Sequence, residues 1–291
     1  MQILPLSDLR CGWIPWGAAG GQTFATLIVK LTLDIADAGL RVSDEQDDLI
    51  DEDVHFDHEP QRSLAWANDL APFKARADVL VTGHAFAPGG TPAHLVRTRL
   101  SIRECDKRID VLADRAFGID GNLREGARFL KIPLRYERAA GGPGTSNPVG
   151  MSLEVRDARG RIMLPNLQPP TAHVERPGDG IEPIGYGPLA PTWPPRLALG
   201  QRGAALGVGH VDPAFFNVAP VDQQLTEIVG DESSVLEGLS ARRPRIQSRL
   251  PSYLATAFIE RGAELEPLTL RIDTIVFDTE RDKVVLTFRG Q

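Results

Sequence analysis

Hydrophobic and polar residues alternate with a period of two along most of this chain, and the 3.6-residue period of an amphipathic helix is nearly absent. From Thr23 to Ile35, one side carries Ala25, Leu27, Val29, Leu31, Leu33 and Ile35, and the other Phe24, Thr26, Ile28, Lys30, Thr32 and Asp34. Successive side chains of a strand point to opposite faces, so this pattern predicts a long strand with one buried face, as antiparallel sheets allow. Similar alternation covers Ala77–Ala85, Leu95–Glu104, Ile109–Ala116, Leu130–Glu137 and Met151–Arg156. Leu268–Phe277 and Lys283–Arg289 flank the polar run Asp278-Thr279-Glu280-Arg281-Asp282 and predict a hairpin. Helices are expected only over Arg62–Leu70 and Pro251–Arg261, the second with Tyr253, Leu254, Ala257 and Phe258 on one side. Many strands separated by turn signals predict a mainly β chain. The expected architecture is antiparallel and β-sandwich-like, with long Pro/Gly-rich loops and one or two short helices.

Prolines interrupt this pattern between Leu164 and Arg196, at positions 165, 169, 170, 177, 183, 188, 191, 194 and 195. Each fixes φ and removes a backbone donor, which excludes helix interiors and central strands. The segment must run extended or turn repeatedly, with Tyr186 and Trp193 as aromatic anchors, and is expected to pack on its own domain. The chain therefore divides into residues 1–163, an N-terminal β-sheet region; 164–222, the proline-rich arm with a Phe-Phe-Asn motif; and 223–291, strands that complete the fold. A single domain would hold all three. No fixed-period repeat marks a solenoid or propeller.

The composition, 42% hydrophobic and 24% charged, is that of a folded soluble protein. No apolar run is long enough to span a bilayer, and the first residues lack the basic start and apolar stretch of a secretory signal. Two cysteines, Cys11 and Cys105, are too few for a disulfide scaffold, and a reducing cytoplasm is the expected location. The net charge of −7 is local in origin, because nine acids and no Lys or Arg lie between Asp44 and Glu59. Such a segment repels phosphate backbones and argues against a nucleic-acid partner. Two basic clusters, Arg97 to Arg108 and Arg242 to Arg249, are expected to be solvated faces or complements to those acids.

A search for chemistry finds little. Nucleophile elbow, phosphate loop and His-Glu-x-x-His motifs are missing. The glycines from Gly200 to Gly209 lack the Lys-Ser/Thr pair that reaches phosphates. His55 and His58, with Asp53, Asp57 and Glu59 nearby, come nearest to a metal cluster, but a solvated acidic loop is the simpler reading. No metal and no cofactor is expected. His84, His94, His173 and His210 stand singly, and neither cysteine has a histidine neighbour that would make it a nucleophile. The most distinctive stretch is Asp212-Pro213-Ala214-Phe215-Phe216-Asn217-Val218-Ala219-Pro220-Val221-Asp222-Gln223-Gln224. Asn217 and Asp222 suit a buried turn whose side chains bond their own backbone, with an adjacent phenylalanine plugging the core.

At this motif the chain resembles a known family. "FFNVAPVDQQL" from Phe215 and "PIGYGPLAPTWPPR" from Pro183 are joined, in order, by "TFATLIVKLTLDI" from Thr23, "ADVLVTGHAFAPGG" from Ala77 and "IPLRYERAAGG" from Ile132. "NPVG" from Asn147, "LPNLQPP" from Leu164 and "GDE" from Gly230 complete the set. The set is similar to a bacterial family, formerly a domain of unknown function, encoded beside type VI secretion spike and effector genes. The resemblance implies an adaptor or chaperone that binds a cognate secreted effector and helps load it onto the spike protein, without catalysis. One interval departs: where members carry Thr-Tyr-Asp and a tryptophan, this chain has "LALGQRGAALGVGHV" from Leu197. The expected partner-contact residues are Tyr186, Trp193, Phe215, Phe216 and Asn217. Two alternatives remain open: a β-sandwich hydrolase or carbohydrate-active enzyme using paired carboxylates, and a structural component of a secretion assembly.

Overall fold

The strand expected from Thr23 forms and spans Thr23–Ala36. In the computed structural model, which describes residues 3–17, 21–201, 207–252 and 255–291, it is the second strand of a large sheet. That sheet is ordered Arg10–Gly17, Thr23–Ala36, Lys283–Gly290, Arg271–Asp278, Ala77–Thr82, Gln224–Leu225, with Gly39–Val42 paired to the end of Thr23–Ala36. Its pairings are antiparallel except one: Arg271–Asp278 runs parallel to Ala77–Thr82, with Thr274 opposite Asp78. The hairpin expected around the 278–282 turn is the Arg271–Asp278/Lys283–Gly290 pair.

A second, wholly antiparallel sheet is ordered Leu167–Gln168, Cys105–Leu112, Leu95–Ile102, Ser233–Glu237, Arg245–Arg249. The two sheets share one core. Val29, Leu31, Leu33, Val79, Val81, Leu286 and Phe288 of the first meet Val96, Leu100, Ile109, Val111, Leu236 and Ile246 of the second. Each such side chain stabilises the fold by about 1.5–3 kcal/mol relative to exposure. Strands from all three sequence regions enter these sheets: Leu167 pairs with Val111, Leu225 with Ala77, and Leu286 with Leu31.

The other face of the large sheet departs from expectation. Thr26, Ile28, Lys30 and Thr32 are buried, not solvated. Residues 43–73, acidic run included, fold over them as a third layer. The Gln46 side chain bonds both the N–H and the C=O of Thr32, at 2.8 and 3.0 Å, and Thr26 Oγ1 donates to Pro72 O at 2.6 Å. Lys30 Nζ reaches Asp69 at 2.6 Å, and Arg289 donates to the Asp69 carbonyl at 2.6 Å. The acids of this layer are held by Arg10, Arg62, Arg135 and Arg281, not by the two basic clusters. Those clusters instead pair with Asp110, Asp106 and Glu237 on the second sheet, with Asp231 just before it, and, through Arg242 and Arg243, with Asp282 and Asp37 beside the first sheet.

The helix expected over Arg62–Leu70 is absent. Ser63, Asn68 and Asp69 take tertiary partners in Glu137, Asp53 and Lys30, which draws the segment out, and Leu64–Trp66 is a strand against Val54–His55. The helix expected over Pro251–Arg261 is replaced at Ala257–Arg261 by a strand, turned back at Gly262 (φ +68) to pair with Glu264–Leu268. Tyr253 and Leu254 lie outside the described residues. The predicted run Ala77–Ala85 splits at Gly83, where φ is +127 and a Cβ would stand 2.3 Å from Thr279 Oγ1. Of Leu130–Glu137 only Lys131–Pro133 is strand, and Met151–Arg156 contributes only a bridge from Met151 to Ala140. Among the described residues the one α-helix is Pro194–Gln201; its two prolines occupy the first turn, where no N–H is required. No described helix is long and apolar enough to cross a membrane.

Candidate protein-binding surface

The Phe-Phe-Asn motif is built around a buried carboxylate. Asp212 Oδ1 accepts from Ala214 N at 3.0 Å and starts the short turn Pro213–Phe216. Directly after it, the chain docks on Asp78, a charged residue with no solvent exposure on an otherwise apolar strand. Asp78 accepts from Val218 N (2.9 Å), Ala219 N (3.2 Å), Asn217 Nδ2 (3.0 Å) and Lys74 Nζ (2.8 Å). Lys74 also donates to Thr274 Oγ1 at 2.6 Å, so the charge of Asp78 is paired and its lone pairs are filled. Asn217 completes the anchor, accepting from the N–H groups of Ala75 and Arg76 and donating to Arg76 O. A lone Asp within the apolar run "ADVLVT" is the signal that sequence reasoning passed over.

The anchor positions the two phenylalanines, and rings from three other segments extend them. Phe215 and Phe216 meet edge to face at 5.3 Å between centroids, and Phe216 meets Phe73 at 5.0 Å. Phe73 meets Trp16 at 5.1 Å, and Trp16 stacks on Phe24 at 5.1 Å with planes 21° apart. All five rings are partly open to solvent, and Phe24 is 39% exposed. Trp16 is fixed by its Nε1–H bond to Thr26 Oγ1 at 3.0 Å. At the other end the Arg196 guanidinium lies 5.1 Å from the Phe215 centroid while donating to the carbonyls of Phe215 and Leu189. Burial pushes its pKa below the ordinary arginine value, against the pull of Asp53 and Asp78.

Tyr186 and Trp193, also expected at the contact surface, sit in the core. Tyr186 is wholly buried, its hydroxyl 3.1 Å from Thr98 Oγ1, and Trp193 is 4% exposed, edge-on to Tyr136 at 5.2 Å. Gly185 lies against that Tyr136 ring, where a Cβ would come within 2.7 Å. Asn217 is 1% exposed. The structure therefore brings Phe215, Phe216 and Asn217 together, with only the two rings reaching the surface. Lys107 is buried beneath Asp222 and Gln223, and burial pushes its ammonium pKa down although Asp222 raises it.

A cleft of about 470 Å³ opens near the 278–282 turn, away from the rings, walled by Trp66, Phe56 and His84 with Lys30 at its floor. Arg281 crosses it, bonded to both Asp47 oxygens at 2.9 and 2.8 Å and to Asp278 at 2.5 Å, with its guanidinium 5.4 Å from the Trp66 centroid. Burial raises the Asp47 carboxyl, but the bond and charge of Arg281 outweigh it and hold the group below its ordinary range. His84 rests against Glu280; burial lowers the imidazole pKa more than Glu280 raises it. His55 bonds the Arg62 carbonyl at 2.7 Å, and no group of metal-ligating side chains occurs among the described residues.

Fold and surface together define a mainly β protein with antiparallel sheets and a half-open aromatic row beside an outer strand. A bacterial family described as "Uncharacterized protein conserved in bacteria (DUF2169)" matches residues 20–289, and the chain belongs to it. No curated protein and no solved structure matches the chain.

Proposed function

We propose that the protein is a cytoplasmic adaptor or chaperone that binds a cognate type VI secretion effector and helps load it onto the secretion spike, by protein–protein contact without catalysis. The observation that carries this reading is the row Phe24, Trp16, Phe73, Phe216, Phe215, ended by Arg196. Aromatic residues and arginine dominate the energetic centres of protein interfaces, and a connected set of half-open rings is costly to leave in water. The ordered motifs that resemble effector adaptors add to it, and "FFNVAPVDQQL" builds one end of the row. Co-expression with the products of the genes that flank its own, any effector or spike protein among them, provides the test. The wild-type chain should co-purify with one of them, and Trp16→Ala with Phe24→Ala should weaken the complex by about tenfold or more without loss of fold. Failure of every such protein to bind would falsify the reading.

A second reading, a hydrolase using paired carboxylates, draws on the cleft, where Asp278, Glu280 and His84 converge. Asp278 is committed to Arg281 and to the N–H groups of Glu280 and Arg281, which favours the clamp role over acid–base work. Turnover of a glycan or ester that Glu280→Gln abolishes would promote this reading.

A further inference from the structure

The cleft beside the 278–282 turn is lined by hydrogen-bonding groups that the rest of the fold leaves open. Two flat walls bound its space of about 470 Å³. One is Trp66, with the Arg281 guanidinium 5.4 Å from its centroid; the other is Phe56, with the Arg135 guanidinium 4.1 Å from its own. Phe56 is held there against backbone strain. The next two residues, Asp57 and His58, have φ of +58 and +57, the left-handed region that residues other than glycine seldom enter. The Arg135–Asp57 pair at 3.0 Å fixes that loop. Strain maintained by tertiary contacts in this way clusters at sites that clamp a ligand.

Donors and acceptors line the same space. Lys30 is 3% exposed, and its Nζ uses two of three N–H groups, on Asp48 O at 3.0 Å and on Asp69 at 2.6 Å. Arg135 donates from Nη1 to Asp57, which leaves Nε and Nη2 without an acceptor among the described residues. On the acceptor side, Glu280 touches His84 through Oε1 and Asp48 meets Arg10 through Oδ1, so each keeps its second oxygen open. The charges themselves are largely neutralised: Lys30 by Asp69, Arg135 by Asp57, Asp48 by Arg10, and Asp47 and Asp278 by Arg281. An anion entering the cleft would meet Glu280 and Asp48, and a free ammonium would meet Lys30 and Arg135. A hydroxyl, being both donor and acceptor without charge, suits all four. We propose that the cleft binds a neutral polyhydroxy ligand, one sugar unit, with its hydroxyls between Lys30 and Arg135 on one side and Glu280 and Asp48 on the other, and its C–H face against the Trp66 wall. The volume lies in the range of small-molecule sites, roughly 300–1,000 Å³. This site is independent of the adaptor reading and requires no reaction, since Asp278 stays bonded to Arg281.

Saturation-transfer NMR on the full wild-type chain tests this. The probes are the methyl glycosides of glucose, galactose, mannose and N-acetylglucosamine, with glucuronate, glucosamine and phenylalanine as anionic, cationic and zwitterionic counterparts. At least one neutral glycoside should bind more tightly than every charged probe. Glu280→Ala and Trp66→Leu should each weaken that binding by about tenfold. Glu280 is half-exposed on a turn, so its removal leaves the fold intact; where Trp66→Leu lowers the thermal midpoint, Glu280→Ala alone decides. The inference is overturned if no neutral glycoside binds, if a charged probe binds more tightly, or if Glu280→Ala binds as wild type does. Partner co-purification is read separately, so the adaptor reading survives each of these results.

Discussion

Asn217 separates a structural role from a contact role, because the two make opposite forecasts for Asn217→Ala. The side chain makes four hydrogen bonds: it accepts from the N–H groups of Ala75 (3.1 Å) and Arg76 (3.2 Å) and donates to Arg76 O (2.7 Å) and Asp78 Oδ1 (3.0 Å). Ala75 and Arg76 lie in exposed backbone, so their N–H groups can turn to water when the amide is removed. Asp78 has no solvent exposure and cannot. Losing a bond to a buried charge costs ~1.5–3 kcal/mol and losing the neutral bond to Arg76 O ~1 kcal/mol, so the substitution should destabilise by about 3 kcal/mol. Urea unfolding followed by circular dichroism measures this as a shift of the midpoint at constant slope. In the material that remains folded, partner affinity should be unchanged, since Asn217 is 1% exposed. A loss under about 1 kcal/mol, or lost binding at wild-type stability, would refute the anchor account and make Asn217 a contact residue.

Three other outcomes follow from the interior. Breaking the buried Lys30–Asp69 pair by Lys30→Met should cost about 3–5 kcal/mol, and adding Asp69→Leu should recover part of it, as a double-mutant cycle by chemical denaturation would show. Burial pushes the Cys105 thiol up to about 11, so in a thiol-labelling time course Cys105 should label only on unfolding, ahead of which the less buried Cys11 reacts. Burial lowers the His84 pKa in the folded chain, so the unfolded chain binds the proton more readily. That contribution to stability is present above the ordinary histidine value of about 6.5 and is lost as pH falls below it. The depressed Asp47 adds a second loss below the ordinary carboxylate range, near 4, and His84→Gln should remove the first decline while leaving the second, as thermal unfolding across pH would report.

Much of the strand content was legible in the pattern of residues, and the misses share a cause. Thr23–Ala36, Leu95–Ile102 and the Arg271–Asp278/Lys283–Gly290 pair stand within a few residues of their predicted bounds. The errors fall where a distant group intervenes: Thr279 against Gly83, and Glu137, Asp53 and Lys30 on the 62–70 segment. Of the candidate surface, only Phe215 and Phe216 could be read directly, because Trp16, Phe24 and Phe73 join them from distant points of the chain.

Period-two alternation is a covalent property of extended backbone, so the sequence by itself determined that the chain is mainly β and which residues share a face of each strand. It could not determine what covers each face. Lys30 and Thr32 look like solvent positions until residues 43–73 fold over them, and Tyr186 and Trp193 look like exposed anchors until the sheets and Tyr136 enclose them. Only the tertiary structure decided these, because a segment is placed by the packing and hydrogen bonds it gains with distant partners, set against the entropy of closing the loop between them.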